Sequence, residues 1–199
     1  VKRLARVIDV EARQFELVQE LADNVELPVQ VTIASGFPKG DKLEFITQKV
    51  TELGASQIWA FPADWSVAKW DGKKLGKKVE KLEKIALGAA EQSKRNIVPS
   101  TKLFEKKADF LAQFDQFDSI VVAYEESAKE GEAAALLQAV TGLEKGAKLL
   151  FIFGPEGGLS PAEIESFESK GAVLAGLGPR ILRAETAPLY ALSALSVLV

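Results

Sequence analysis

Gly154-Pro155-Glu156-Gly157-Gly158 and Gly178-Pro179-Arg180-Ile181-Leu182-Arg183-Ala184-Glu185-Thr186 are the stretches whose residue types can do chemistry together. Each follows an apolar run that reads as a strand, Leu149 to Phe153 and Val173 to Leu177. Glycines at the carboxyl end of a strand let the backbone approach a ligand closely, and open α/β sheets bind ligands at that edge. The first loop lacks the Gly-Lys-Ser/Thr of a Walker loop and the spacing of a dinucleotide fingerprint. Taken alone it reads as a tight strand-to-helix turn. The second loop changes that reading, because two glycine-bearing loops then open at one sheet edge with Arg180, Arg183, Glu156 and Glu185 among them. Backbone amides and apolar Leu177, Ile181 and Leu182 suit an adenosine-like ligand. Arg183 and Glu185 read either as site residues or as a surface ion pair of little energetic worth; their place beside both loops favours a site.

The chain contains no histidine and no cysteine. That removes disulfides, thiolate zinc sites, a cysteine nucleophile and every histidine-based triad. A general base must then be a carboxylate, a lysine, a tyrosine or the substrate itself, and no metal is expected. Hydrophobic residues make up 47% of the 199 residues, enough for a sizeable core. No signal peptide opens the chain, and its most apolar run, Leu189 to Val199, is far shorter than the ~20 residues of a membrane span. A cytoplasmic protein with no membrane partner is expected. Methionine is absent even at position 1, which reads as an incomplete start or as modified methionines not written in the sequence.

The elements that must position the two loops alternate. Val1 to Ile8 reads as a strand and Phe15 to Leu21 as a second strand or short helix, with a boundary near Asn24 to Pro28. Val29 to Ala34 is a β-branched run and so a buried strand. Asp41 and Glu44 suit the start of a helix whose Leu43, Ile46, Val50 and Leu53 share a face, with Gly54 at its end. Gln57 to Phe61, Ser119 to Tyr124, Lys148 to Phe153 and Ala172 to Leu177 read as strands. Gly72 to Lys94, Glu132 to Val140, Ser160 to Ser169 and Ala187 to Leu198 read as helices. Ser160, Pro161 and Glu163 supply an N-cap, a first-turn proline and a capping-box acid. Thr186 or Glu185 is the expected cap of the last helix. This alternation predicts an α/β fold, a mostly parallel sheet with helices on both faces.

The net charge is −3, yet Lys69 to Arg95 holds nine basic and four acidic residues. Such a concentration suits phosphates, or it is a solvated helix face laced with Glu–Lys pairs. For Lys77, Lys81 and Lys84 both readings stand. Gln92 and Arg95, near the helix end, are the better candidates for such a contact.

GPEGGLSPAEIE (Gly154 to Glu165) paired with LGPRILRAETAPLYALSAL (Leu177 to Leu195) resembles the RsmE-type ribosomal RNA methyltransferases of the SPOUT superfamily. PKGDKLEFITQKVTELGA (Pro38 to Ala55) and AAEQSKRNIVP (Ala89 to Pro99) are similar to family motifs too, so the resemblance covers essentially the whole chain. It implies an S-adenosylmethionine-dependent enzyme that methylates N3 of a uridine in 16S ribosomal RNA of the small subunit, in ribosome biogenesis. It implies a C-terminal deep trefoil knot that holds the cofactor, a homodimer, and a small PUA-like RNA-binding barrel of which residues 1–24 are a remnant, before a methyltransferase domain over 25–199. By the same resemblance Gly154, Glu156, Gly157, Leu177, Gly178, Ile181, Leu182 and Thr186 bind the cofactor. Arg183 and Glu185 are the catalytic or substrate-orienting groups, and Gln92, Arg95 and Ser66 face RNA. One departure stands out: in Asp64-Trp65-Ser66-Val67, Trp65 occupies the place of the family's usual arginine. A tryptophan there can stack on a base or fill an apolar gap. With no histidine present, Arg183 is expected to stabilise negative charge developing on the base, and Glu185 or Glu156 is a weaker candidate for the general base. The alternatives are a non-catalytic ribosome-binding protein of the same fold and a nucleotide- or phosphate-binding α/β protein using the first glycine loop.

Overall fold

The structure, a computed structural model, describes residues 2–21, 24–124 and 133–199. Strand β1 (Lys2–Asp9) and strand β2 (Gln14–Leu21) form an antiparallel pair on their own, so Phe15 to Leu21 is a strand and not a helix. Leu4, Val7, Ile8, Phe15, Leu17 and Val18 on this pair are exposed.

The remaining strands make one parallel sheet. In chain order they are β3 (Gln30–Gly36), β4 (Gln57–Phe61), β5 (Ser100–Leu103), β6 (Ser119–Ala123), β7 (Lys148–Phe153) and β8 (Val173–Ala175). Across the sheet they run β5-β4-β3-β7-β6-β8, with every pairing parallel. The helices are α1 (Lys42–Glu52), α2 (Gly72–Gln92), α3 (Lys107–Leu111), α4 (Ala133–Val140), α5 (Pro161–Glu168) and α6 (Ala187–Leu198). Strand β5, helix α3 and a 3-10 turn at Phe114–Gln116 are short elements that residue pattern did not reveal. Glu132, expected to open α4, lies outside the described residues.

Both faces of the sheet are covered, as a parallel sheet requires. Along β7 successive buried side chains alternate between the two faces: Leu149, Phe151 and Phe153 join a cluster with Ile46 and Val50 of α1, Leu136 of α4 and Leu192 and Leu195 of α6. Leu150 and Ile152 face an aromatic layer of Trp59, Phe61, Phe110, Phe114 and Phe167 beneath α3 and α5. Phe61 and Phe110 stack with ring centroids 4.2 Å apart. Helix α2 packs Leu75 and Leu82 on Phe37 and Leu43, beside α1.

Local signals at the helix starts held in one case of three. Ser160 makes the full capping box with Glu163. Asp41 and Thr186 occupy N-cap positions but make no capping hydrogen bond through their side chains; Thr186 has helical φ and ψ, which turn its hydroxyl away from the first-turn amides.

Arg95 corrects an expectation. It does not face RNA. Helix α2 stops at Gln92, and Lys94 takes a left-handed φ of 58°, which turns the chain inward. The Arg95 guanidinium, with its side chain 3% exposed, then donates to the carbonyls of Thr51 (3.0 Å) and Ala55 (2.6 Å) and pairs with Glu26. Glu26 also accepts from the amides of Asn96 (2.8 Å) and Ile97 (3.1 Å). Burial pushes the Glu26 carboxyl up, but Arg95 and these two amides outweigh it and hold the group below the usual 4.5. Arg95 therefore fastens the ends of α1 and α2 to the segment before β3.

Removing one member of a buried pair leaves the other charge uncompensated, which costs ~3–5 kcal/mol. Arg95→Ala should lower unfolding free energy by about that amount at neutral pH, read by urea denaturation. A carboxyl with a depressed folded-state pKa contributes stability above its unfolded value and loses it as pH falls through the folded value. The wild-type protein should thus lose stability below pH 4.5, and Arg95→Ala should lose less over that range.

Candidate functional site

The carboxyl ends of β7, β6 and β8 are adjacent, and the chain after each contributes to one cleft of about 650 Å³. From β7 come Gly154 to Leu159, from β6 Ala123 and Tyr124, and from the segment after β8 Ile181 to Ala184. Leu177 and Gly178 line an adjoining recess that shares Ala123, Tyr124, Ile181, Leu182 and Ala187 with the cleft. The fold thus brings Gly154, Glu156, Gly157, Leu177, Gly178, Ile181, Leu182 and Arg183 together. Thr186 is exposed at the start of α6 and lines neither space. Glu185 reaches the cleft through a cation, described below.

Gly154 is required by packing. A Cβ there would stand 2.8 Å from the carbonyl carbon of Gly158, because the loop folds back on itself before Leu159. The Pro155 ring in turn lies where a Cβ on Gly36 would be, 2.5 Å from its Cδ, so the end of β3 seats the loop.

Lys42, the first residue of α1, is the site residue that sequence reasoning missed. Its ammonium lies 2.9 Å from Glu156 Oε1 and 3.1 Å from Glu185 Oε2. Glu156 also accepts from the Lys39 amide at 3.0 Å. One cation therefore bridges the loop after β7 and the segment after β8. Pairing with Glu156 and then with Glu185 raises the Lys42 pKa above 10.5. Burial pushes both carboxyls up, yet Lys42 and nearby backbone amides hold each below 4.5, with Arg183 adding a small effect at Glu185. The signal that was available is the Lys in Pro38-Lys39-Gly40-Asp41-Lys42, which has the look of an ordinary first-turn lysine.

Arg183 stands at the rim with its side chain 83% exposed and its Nη1 4.0 Å from Glu185 Oε1. Trp65 forms the wall beside Gly157 and Gly158. Its loop is tied down by Asp64, whose amide donates to Glu163 Oε1 at 3.0 Å and whose carboxylate accepts from Ser160 Oγ at 2.6 Å and pairs with Lys107. Lys107 and Ser160 hold the Asp64 carboxyl below its usual 3.8.

The RNA candidates fall elsewhere. Gln92 is exposed in a shallow groove between α1 and α2, with Gln48, Lys49 and Lys84. The Ser66 hydroxyl is buried and has no hydrogen-bond partner among the described residues, so it does not present itself to a macromolecule. On α2, Lys78 and Lys81 both reach Glu44 at 3.0 Å, so part of the basic run is spent on α1.

The family model for the RNA methyltransferase domain matches residues 25–196. Ribosomal RNA small subunit methyltransferase E of Bacillus subtilis is 56% identical over 174 residues, 87% of this chain and 68% of that protein. This chain belongs to the RsmE-type RNA methyltransferase family. A ribosomal RNA small subunit methyltransferase E from Neisseria gonorrhoeae, solved bound to S-adenosyl methionine, superimposes with a TM-score of 0.76 at 27% identity, covering 98% of this chain and 78% of that one. The fold is shared more distantly: the TrmH/SpoU tRNA modifying enzyme of A. aeolicus matches 88% of this chain and 77% of its own at 14% identity and a TM-score of 0.55, a likeness of fold alone.

For this RsmE-type chain, replacing Lys42 leaves two part-buried carboxylates near one another without their shared cation. In Lys42→Met both Glu156 and Glu185 should titrate at higher pH than in the wild-type protein, where both lie below 4.5. Carbon NMR of the side-chain carboxyls reads this directly. Unmoved values would remove Lys42 as the group that sets them.

Proposed function

We propose that this protein transfers a methyl group from S-adenosylmethionine to N3 of a uridine in the 16S RNA of the small ribosomal subunit. The observation that carries the reading is the convergence of the two glycine-bearing loops on one cleft, in a chain of the RsmE-type family. The cleft fits the cofactor in kind: apolar Leu177, Ile181 and Leu182 for adenosine, and a lining of Gly154, Gly157 and Gly158 that no side chain fills. When bound, S-adenosylmethionine supplies a methyl group activated on a sulfonium.

The chain's own residues then bind, orient and balance charge. Lys42 fixes the two loops relative to each other. Arg183, free at the rim, stabilises the negative charge that develops on the base when its N3 proton leaves. Glu185 orients Arg183. Lys42 holds both Glu185 and Glu156 in the ionised form, and either is the weaker candidate for the base that takes the N3 proton. Gln92, in the groove between α1 and α2 with Lys49 and Lys84, is assigned to the RNA backbone.

Three further features complete the reading. The chain leaving β7 passes β6 to pair β8 on its far side, and the segments around β8 are taken to form the C-terminal trefoil knot of the SPOUT kind. Residues 1–24, with the exposed apolar pair β1 and β2, are taken as part of a PUA-like RNA-binding domain before a methyltransferase domain over 25–199. Tyr190, Val197 and Leu198, exposed on α6, suit the interface of a homodimer. Substrate of this kind places the protein in the cytoplasm.

Labelled methyl should pass from S-adenosylmethionine to small subunits that lack the modification, with chelator present, and mapping should find it on uridine N3. Failure of S-adenosylmethionine and S-adenosylhomocysteine to bind the folded protein by calorimetry would overturn the reading. Arg183→Ala should cut turnover by ~10²–10³-fold, as for loss of an oxyanion donor, with cofactor affinity and melting little changed. Were Arg183 only half of an exposed ion pair, the variant would keep near-normal turnover.

A further inference from the structure

We infer that Trp65 is a stacking platform for an unpaired base of the RNA substrate, a role that rests on the methyltransferase reading above. The chain has three tryptophans, and two are accounted for by the protein itself. Trp59 is 2% exposed inside the aromatic layer. Trp70 packs on Phe37 with centroids 4.4 Å apart and lies under the Lys78 ammonium. Trp65 is 49% exposed and makes no ring contact among the described residues. A large aromatic surface left open inside a concave site is the informative kind of exposure.

The platform is built before any ligand arrives. Asp64 is tied to the start of α5 by its amide and its carboxylate, and the Ser66 amide donates to the Ala63 carbonyl at 2.9 Å. Residues on both sides of Trp65 are therefore fixed. A Cβ on Gly157 would lie 3.0 Å from Trp65 Cβ, and the six-membered edge of the indole runs within 4.0 Å of the corresponding point on Gly158. The absence of side chains at Gly157 and Gly158 leaves room for the Trp65 side chain beside the loop.

Its place in the cleft selects the occupant. Trp65 and Arg183 line the main cleft and not the adjoining recess of Leu177 and Gly178, with Ile181 and Leu182 lining both where the two spaces join. A base entering the main cleft thus meets an aromatic face on one wall and a guanidinium at the rim. Every base has a π-face, and bases in single-stranded RNA are the ones free to stack on protein aromatics. Trp65 is a positioning residue for the base on which Arg183 acts.

Methyl transfer to unmodified small subunits is measured for Trp65→Ala, Trp65→Leu and Trp65→Phe, with S-adenosylhomocysteine affinity and melting temperature on each. Loss of one base stack corresponds to about a fivefold to hundredfold weakening. Trp65→Ala and Trp65→Leu should raise the KM for RNA by that factor, Trp65→Phe should restore most of it, and cofactor affinity should hold within about twofold. Trp65→Leu performing as well as Trp65→Phe would show that Trp65 only covers the glycines and would overturn the proposal. So would weakened cofactor binding with an unchanged KM for RNA. Independently of turnover, an RNA oligonucleotide with an unpaired uridine should quench wild-type tryptophan emission and leave that of Trp65→Phe unquenched; equal quenching sinks the role of Trp65. Absence of cofactor binding and methyl transfer in the wild type would defeat the enzymatic reading instead, and the quenching result would still decide Trp65.

Discussion

One ammonium group holds the site in shape. Lys42 Nζ sits between Glu156, on the loop after β7, and Glu185, on the segment before α6. These acids come from two different turns of chain, and neither has another cation within bonding distance among the described residues apart from the loose contact of Arg183 with Glu185. Without Lys42 the loops would carry like charges toward each other across a part-buried cleft, where repulsion is less screened than in water. With it, two ionised carboxylates are neutralised by half, and the backbone of each loop stays close enough for one ligand to touch both.

A second cluster does the same work for the opposite wall. Glu163 is buried, caps α5 through the Ser160 amide at 2.9 Å, and accepts from the Asp64 amide and from Lys107. A buried carboxylate is tolerable only when its lone pairs are engaged, and here they are engaged by the elements that must be held together. The capping acid of α5 is thus also the anchor of the loop bearing Trp65. Folding energy and site geometry share the same hydrogen bonds.

Arg95 shows how one motif can mislead. A polar and basic stretch at the end of a lysine-rich helix has the composition of an RNA-facing surface. Its charge is instead consumed by Glu26 and by carbonyls at the end of α1. What decides between the two roles is the backbone turn at Lys94, a left-handed residue that is neither glycine nor asparagine and that no local rule places there. The lysines of α2 divide in the same way: Lys78 and Lys81 serve Glu44, while Lys84 remains beside Gln92 in the groove between α1 and α2.

The sequence by itself determined the alternation of strands and helices, the parallel sheet, and the two glycine loops at one edge. These follow from local causes: β-branched and apolar runs bury on both faces, and Ser160 with Glu163 signals a helix start wherever it occurs. The two loops that line the cleft were legible for the same reason, since a loop between a strand and a cap is continuous in the chain. Lys42, Asp64 and Lys107 were not, because their partners lie 43 to 143 positions away and a lysine or aspartate carries no mark of which distant charge it will meet. The β5 strand was invisible too, being an edge strand of alternating exposure only four residues long. Whether Arg95 points inward and Trp65 outward was decided only when packing fixed which surface each could reach. Tertiary structure alone converts a list of charged and aromatic side chains into pairs, because pairing energy depends on distance and burial, and neither is a property of the sequence interval.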